Sequence, residues 1–261
     1  MNFFFLTVNE KYSATLAIPK FQNSGRIDSQ LKLYQANIVS SRWRVSEPIN
    51  CFQDKRFWHL QSSGPSNDTI FFLSNEREAS IIEEKNQLVN VDRFTDTSPS
   101  FRANLMIENR FGGFSSYQAE YPFRMVEKLG SLYSECGLLT SDTGCSIGIF
   151  IRNVYFKPIT EERNLWLFSA KKNEVLQTYK VKLNTTTYID LTKHKKELDS
   201  CFLFARDFSG VPSWVVEYDD GSLSFEHTHP PQESILGSNR FELVRKLREN
   251  AFEKVSKATS Q

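Results

Sequence analysis

Two histidines in the last quarter of the chain have the spacing of metal ligands. His227 and His229 lie two residues apart in the segment SWVVEYDDGSLSFEHTHPP, where apolar and polar residues alternate as in a β-strand. Side chains two residues apart on a strand project to one face, roughly 7 Å apart at the backbone, so both imidazoles can reach one ion. Asp220 and Gly221 predict a two-residue hairpin turn that pairs Trp214 with His227. Two interpretations are open: a metal site, or a structural His227 that packs on Trp214 with His229 at the end of the strand. Trp214 could also contact a ligand.

The spacing continues to a carboxylate. A glycine, the two histidines and Glu233 follow the pattern G-x5-H-x-H-x3-E. This pattern resembles the first metal motif of cupins, small β-barrels that bind a divalent metal. The resemblance implies that His227, His229 and Glu233 are ligands of Fe, Mn or Zn. His59, His194 or an aspartate would complete the coordination shell.

A second hairpin presents polar and aromatic side chains that suit a polar ligand. In FRANLMIENRFGGFSSYQAEY, a two-residue turn at Gly112 and Gly113 would pair Glu108 with Tyr117 and Asn104 with Tyr121. That register places six such side chains on one sheet face: Arg102, Asn104, Glu108, Arg110, Tyr117 and Tyr121. Guanidinium groups donate paired hydrogen bonds and tyrosine rings offer stacking planes, so this face is predicted to bind a polar ligand such as a glycan. An ordinary solvated sheet face has the same composition, because such cross-strand pairs stabilise sheets in their own right.

A third group interleaves aromatic and basic residues. It consists of Arg42, Trp43 and Arg44 together with Phe57, Trp58 and His59. Such a group could stack a ring or a sugar, but we favour cation–π packing within the protein.

These residues must be positioned by β-strands. Short alternating or β-branched and aromatic runs, separated by turn signals, occupy most of the chain. They predict a single mainly β domain over 1–261, either an antiparallel β-sandwich or a flattened, jelly-roll-like β-barrel. The sequence has no repeat of roughly 20 to 50 residues, which disfavours a propeller. Strand register decides every shared face, because a slip of one residue moves each side chain to the opposite side.

One segment near the end of the chain has a helical period. Apolar residues recur every three or four positions, at Phe241, Val244, Leu247, Ala251 and Val255. Asn239 and Glu242 have the spacing of a capping box. The sequence therefore predicts an amphipathic helix over 239–256 that packs on the sheets, followed by a tail at 257–261. In the alternative interpretation the apolar face binds a protein partner.

Composition narrows the classes of function. The chain has 32 Lys and Arg against 31 Asp and Glu, so its net charge of +1 lacks the cationic excess that a nucleic-acid backbone binder needs. No apolar run approaches the ~18 residues that span a bilayer. The four cysteines have neither CxxC nor zinc-knuckle spacing. We expect a soluble, cytoplasmic protein that binds neither nucleic acid nor membranes.

Three hypotheses about function fit these patterns, and enzymatic activity is left open. The leading one is a binding or accessory module that recognises a polar small molecule or glycan on a sheet face. The second is a metal-dependent enzyme of cupin-like type that uses the two histidines. The third is a protein-interaction scaffold that binds its partner through the C-terminal helix.

Overall fold

Short β-strands make up most of the computed structural model, which describes residues 2–7, 9–20, 31–62, 68–90, 102–126, 131–134, 145–226 and 237–258. The strands of the first half are β1 (Asn2–Phe4), β2 (Tyr12–Pro19), β3 (Lys32–Val39), β4 (Arg42–Ser46), β5 (Cys51–Gln53), β6 (Phe57–Gln61), β7 (Ile70–Ser74), β8 (Asn104–Asn109), β9 (Phe114–Gln118) and β10 (Glu120–Pro122). Those of the second half are β11 (Ser131–Ser134), β12 (Cys145–Arg152), β13 (Glu162–Ser169), β14 (Glu174–Lys182), β15 (Thr186–Asp190), β16 (Cys201–Ala205), β17 (Val211–Tyr218) and β18 (Leu223–Glu226). The α-helices are α1 (Glu76–Lys85) and α2 (Arg240–Ala258), and short 3-10 turns occur at Phe123–Met125, Thr192–His194 and Leu198–Ser200.

These strands form four antiparallel sheets. Sheet A has the order β10-β1-β7-β3-β4, sheet B β5-β6-β2-β8-β9, sheet C β11-β16-β13-β14 and sheet D β15-β12-β17-β18. The prediction of a mainly β, antiparallel protein with a C-terminal helix is confirmed. The prediction of one two-sheet sandwich or flattened barrel is wrong, because the strands are divided among four sheets. In the number and size of its sheets the molecule is propeller-like, which the sequence disfavoured.

The two halves share one topology. The neighbours β1, β7, β3 and β4 of sheet A correspond to β11, β16, β13 and β14 of sheet C, and β6, β2, β8 and β9 of sheet B correspond to β15, β12, β17 and β18 of sheet D. Among the described strands, only the edge strands β5 and β10 lack a counterpart. In both halves the chain moves back and forth between two sheets, whereas a propeller blade is normally completed before the next begins. The repeating unit is half the molecule, far longer than the roughly 20 to 50 residues of common structural repeats.

Each half encloses an apolar core between its two sheets. The inward residues of β2 and β12 occupy equivalent positions in these cores: Ala14, Leu16 and Ile18 in the first, and Ile147, Ile149 and Ile151 in the second. The opposite face of sheet D also packs against the first core, through Phe150, Val215 and Phe225. Sheet D is therefore buried on both sides and joins the two halves.

Sheets A and C also contain strands that are buried on both sides. All five residues of β7 and all five of β16 are buried. Their sequences, IFFLS and CFLFA, are the nearly continuous apolar runs expected of such strands. Helix α1 packs beside β4, where the Glu83 carboxylate accepts a hydrogen bond from the backbone N–H of Val45. Helix α2 covers sheet C.

The predicted C-terminal helix is confirmed over Arg240–Ala258. Leu247, Ala251 and Val255 pack on Trp166 and its neighbours in sheet C, so this part of the apolar stripe is occupied within the chain. Phe241, in the first turn, is 62% exposed. A partner that contacts this first turn stays a prediction. No described helix combines the length and the apolar character needed to cross a bilayer.

Candidate ligand-binding face

The hairpin between β8 and β9 has a different turn from the one predicted. The Asn109 N–H donates to the Gly113 carbonyl at 2.9 Å, and the Gly112 N–H donates to the Asn109 carbonyl at 3.1 Å. The loop therefore contains three residues, 110–112, and ends at Gly112 with φ of 81°. This is the geometry of a type I turn followed by a left-handed residue, a common three-residue hairpin connection.

The longer loop changes which side chains share a face. Asn104 pairs with Gln118, three residues before its predicted partner Tyr121. The pairing of β9 is thus shifted by three residues, and side chains alternate between the two faces of a strand. An odd shift therefore turns the opposite set of β9 side chains outward. Tyr117 is half-buried against the first core, and Tyr121 is 0% exposed, with its hydroxyl donating to the Ser209 carbonyl at 3.3 Å. The prediction that these two tyrosines form a binding surface is therefore wrong.

The hairpin between β17 and β18 has the same kind of three-residue loop. The Tyr218 N–H donates to the Ser222 carbonyl at 3.0 Å, and Gly221 has φ of 82°. Trp214 consequently pairs with Glu226 instead of His227. It is 0% exposed within the second core, so the predicted contact between Trp214 and a surface ligand is wrong.

The predicted metal ligands His227, His229 and Glu233 lie outside the described residues. Across the ranges that the structure describes, no group of three or more His, Cys, Asp or Glu side chains could hold a metal ion. His59, one of the side chains suggested to complete the shell, has its Nε2 atom 2.9 Å from the Asp54 carboxylate. The cupin-like metal site stays a prediction.

Sheet B differs from the other sheets because one of its faces is open. Its central strands β2 and β8 alternate between buried residues and residues that are partly or fully exposed. This face, called the outer face below, carries three of the predicted binding residues, Arg102, Asn104 and Glu108, on one side of the sheet. Arg110 lies in the hairpin loop. The part of the predicted surface contributed by the first strand is thus present.

A continuous row of side chains crosses the outer face. Successive strand pairs join Phe52 to His59, His59 to Ala17, Ala17 to Asn104 and Asn104 to Gln118. Adjacent strands lie ~4.8 Å apart, so the row is about 19 Å long. Alanine ends at Cβ, and the row is therefore lowest at its centre, between an aromatic end and an amide end.

The aromatic end is rigid. The rings of Phe52 and His59 stack with their centroids 4.6 Å apart and an interplanar angle of 9°, and the Phe57 ring lies 6.0 Å from His59. Asp54 holds His59 in place and also accepts hydrogen bonds from the N–H groups of Arg56 and Phe57. These bonds, led by the one from His59, lower the pKa of Asp54 to about 2. Phe52 nevertheless remains 56% exposed, so its ring is available for stacking.

The amide end supplies hydrogen-bonding groups. Arg102 donates to the side-chain oxygen of Gln118, which fixes the orientation of that amide. The Asn104 amide is exposed and donates to the Ser116 hydroxyl at 3.4 Å. Glu108 lies further along β8 on the same face, opposite Phe114. Amides offer both donors and acceptors, which suits a ligand rich in hydroxyl groups.

Sequence reasoning missed the contribution of Phe52 and assigned His59 to another group. The cation–π contact expected near the aromatic and basic cluster does occur at Trp58, but its cation is Lys20, whose Nζ lies 4.5 Å from the ring centre. Trp43 is buried and donates from Nε1 to the Phe156 carbonyl. Alternation in FWHLQ was the available signal, because it places Phe57 and His59 on one face.

Comparison with protein-family models, curated proteins and solved structures gives no match for this chain.

Proposed function

We propose that the protein is a binding module that recognises a polar ligand, specifically a glycan, on the outer face of sheet B. The row from Phe52 to Gln118 carries this proposal. A sugar ring has an apolar face that can stack on an aromatic plane and a rim of hydroxyls that hydrogen-bond to amides. The lowered centre of the row at Ala17, about 10 Å wide between the strands of His59 and Asn104, leaves space for such a ring.

The rigidity of the row supports binding. Sheet strands and the Asp54 contact already restrain His59, so little conformational entropy is lost when a ligand is bound. Core packing does not account for Phe52, because its exposed ring contributes little to the core. Aromatic groups placed beside polar groups on an open surface are a common feature of recognition sites.

The proposal is tested with an array of neutral and acidic oligosaccharides, followed by calorimetric titration of the best-retained one. Phe52→Ala and Asn104→Ala should each weaken binding about tenfold, equivalent to ~1.4 kcal/mol. Phe241→Ala is the matched control, because Phe241 is 62% exposed in the first turn of α2, which packs on sheet C. Unchanged binding by both row variants, or no retained oligosaccharide, would show the proposal to be wrong.

A metal-dependent enzyme is the second candidate, and the spacing of His227, His229 and Glu233 supports it. Metal analysis of protein purified without a histidine tag is the direct measurement. An empty site that also takes up no Mn, Fe or Zn on titration would remove the basis for this candidate. The cytoplasmic location expected from the sequence stays a prediction.

A further inference from the structure

A second surface feature lies between the two halves, apart from the row on sheet B. It is a cleft of about 610 Å³. One wall comes from the first half and contains Ser41, in the turn between β3 and β4, and 85–87 at the end of α1. The other wall comes from 157–161, which follows β12. This volume lies within the usual range of small-molecule sites, roughly 300 to 1,000 Å³.

The two walls are held at a fixed spacing. The Phe156 carbonyl of the second half accepts hydrogen bonds from Trp43 Nε1 at 2.8 Å and from the Leu88 N–H at 3.0 Å, both in the first half. Trp43 is buried, so the bond that it makes is shielded from water. The cleft is therefore formed before any ligand enters.

Acceptor groups in the walls are occupied by internal hydrogen bonds. The Asn184 amide donates to the carbonyls of Lys157 and Ile159 at 3.0 and 2.8 Å. On the opposite wall the Asn86 side-chain oxygen accepts from the Trp43 N–H at 2.9 Å. These three oxygens therefore already accept hydrogen bonds from within the protein.

The charged groups of the cleft are predominantly cationic. Lys85 and Lys157 stand on opposite walls, and neither forms an ion pair with another residue in the described ranges. The carboxylate of Glu161 lies 2.7 Å from Arg163 Nη2, which offsets its charge. The lining residues thus include two lysines without an acidic partner in the described ranges and one carboxylate that is already paired.

We propose that this cleft binds a small phosphorylated molecule, with Lys85 and Lys157 contacting the phosphate group from opposite walls. The hydroxyls of Ser41 and Thr160 add hydrogen-bond donors at the rim. Ammonium groups bind phosphate as point charges, and phosphate oxygens accept several hydrogen bonds at once. This site and the outer face of sheet B are separate, so either can exist without the other.

The experiment uses the full chain and three probes: inorganic pyrophosphate, glucose 6-phosphate and unphosphorylated glucose. Calorimetric titration at low ionic strength should show binding of both phosphorylated probes and none of glucose. The double variant Lys85→Gln/Lys157→Gln should weaken binding about tenfold, since two ion pairs are lost. The control Lys171→Gln/Lys196→Gln removes the same charge from exposed positions outside the cleft and should bind as the unmodified protein does.

Three outcomes would overturn the proposal. They are the absence of binding by both phosphorylated probes at millimolar concentration, equal binding of glucose and glucose 6-phosphate, and equal weakening in the two double variants. All four lysines are exposed, so the variants should fold, and urea unfolding of each variant is the check.

Discussion

Asn109, a buried residue at the end of β8, forms hydrogen bonds within the first half and to the second half. The Asn109 side-chain oxygen accepts hydrogen bonds from the N–H groups of Phe111 and Gly113, which fixes its own hairpin loop. Its amide donates to the Gly221 carbonyl at 2.9 Å and to the Glu217 carboxylate at 3.3 Å, both in the other half. Asn109 is 6% exposed, so water cannot easily replace these partners.

Asn109→Ala should lower the free energy of unfolding by about 2 to 3 kcal/mol, because several buried groups lose their partners together. Urea denaturation provides the measurement. Gln61→Ala, at an exposed position on sheet B, is the control and should change stability by less than ~0.5 kcal/mol. An effect of Asn109→Ala that is no larger than the control would contradict this role.

Asp54 provides a test at the aromatic end of the row. Its pKa is lowered to about 2, with the hydrogen bond from His59 as the largest cause. A lowered pKa means that the contribution to stability is present above the usual value of 3.8 and is lost as the pH falls towards about 2. We expect His59→Ala to raise the pKa of Asp54 towards 3.8, as followed by the ¹³C shift of its carboxyl group in an NMR titration. An unchanged midpoint would show that the backbone bonds alone determine it.

At the scale of elements, the two three-residue hairpin loops contact each other directly. A Cβ built on Gly113 would lie 1.9 Å from the Gly221 carbonyl oxygen, whereas a Cβ on Gly112 would have no atom within 4 Å. Gly112 needs a left-handed conformation, while Gly113 needs the absence of a side chain. The two neighbouring glycines therefore have different structural roles.

Gly112→Ala should destabilise the protein by about 1 to 2 kcal/mol, the usual free-energy cost of a left-handed non-glycine residue. Gly113→Ala should destabilise it by more, about 3 kcal/mol or greater, because backbone in both halves must move. Comparison of the two urea midpoints checks the order. The reverse order would show that the hairpin tips are not in the close contact described.

The elements also show which parts of the fold could be predicted from the sequence. Strands and helix α2 were predictable because alternation and the three-to-four period are set by local burial. The loops were not, since Gly112 and Gly221 fit two-residue and three-residue turns equally well from local pattern alone. Both loops contain three residues, and the resulting registers place Tyr121 and Trp214 away from the predicted surfaces.

The candidate site was predictable only in part for a related reason. Arg102, Asn104 and Glu108 follow one another on one strand, so alternation sufficed to group them. Phe52 and His59 reach the same row from a hairpin far away in the sequence, and strand order in sheet B places them there. Strand order depends on long-range packing, which local patterns do not encode.

At the scale of the whole molecule, sheets B and D are equivalent but differ in exposure: the outer face of sheet B is open, whereas the same face of sheet D is covered. Ala17 pairs with His59 and Asn104 in sheet B, as Phe150 pairs with Tyr188 and Ser213 in sheet D. In sheet D this position is covered by the first half, since the ring of Tyr12 lies 6.1 Å from those of both Phe150 and Tyr188. In sheet B the corresponding position is open.

The two halves have the same topology but contact each other through different surfaces, which makes a short head-to-tail array. Such an array could grow if a further copy bound to its exposed end. We infer that the polar residues of the outer face prevent such growth, as the polar outer faces of capping repeats do in solenoid proteins. Ala17→Phe with His59→Tyr would give this end the two aromatic side chains, Phe150 and Tyr188, that sheet D has at the equivalent positions. We expect that variant to self-associate in a concentration-dependent manner in sedimentation velocity, and a sedimentation coefficient that stays equal to that of the unmodified chain would contradict this. Resistance to polymerisation would then be a second property of the surface that we assign to ligand binding.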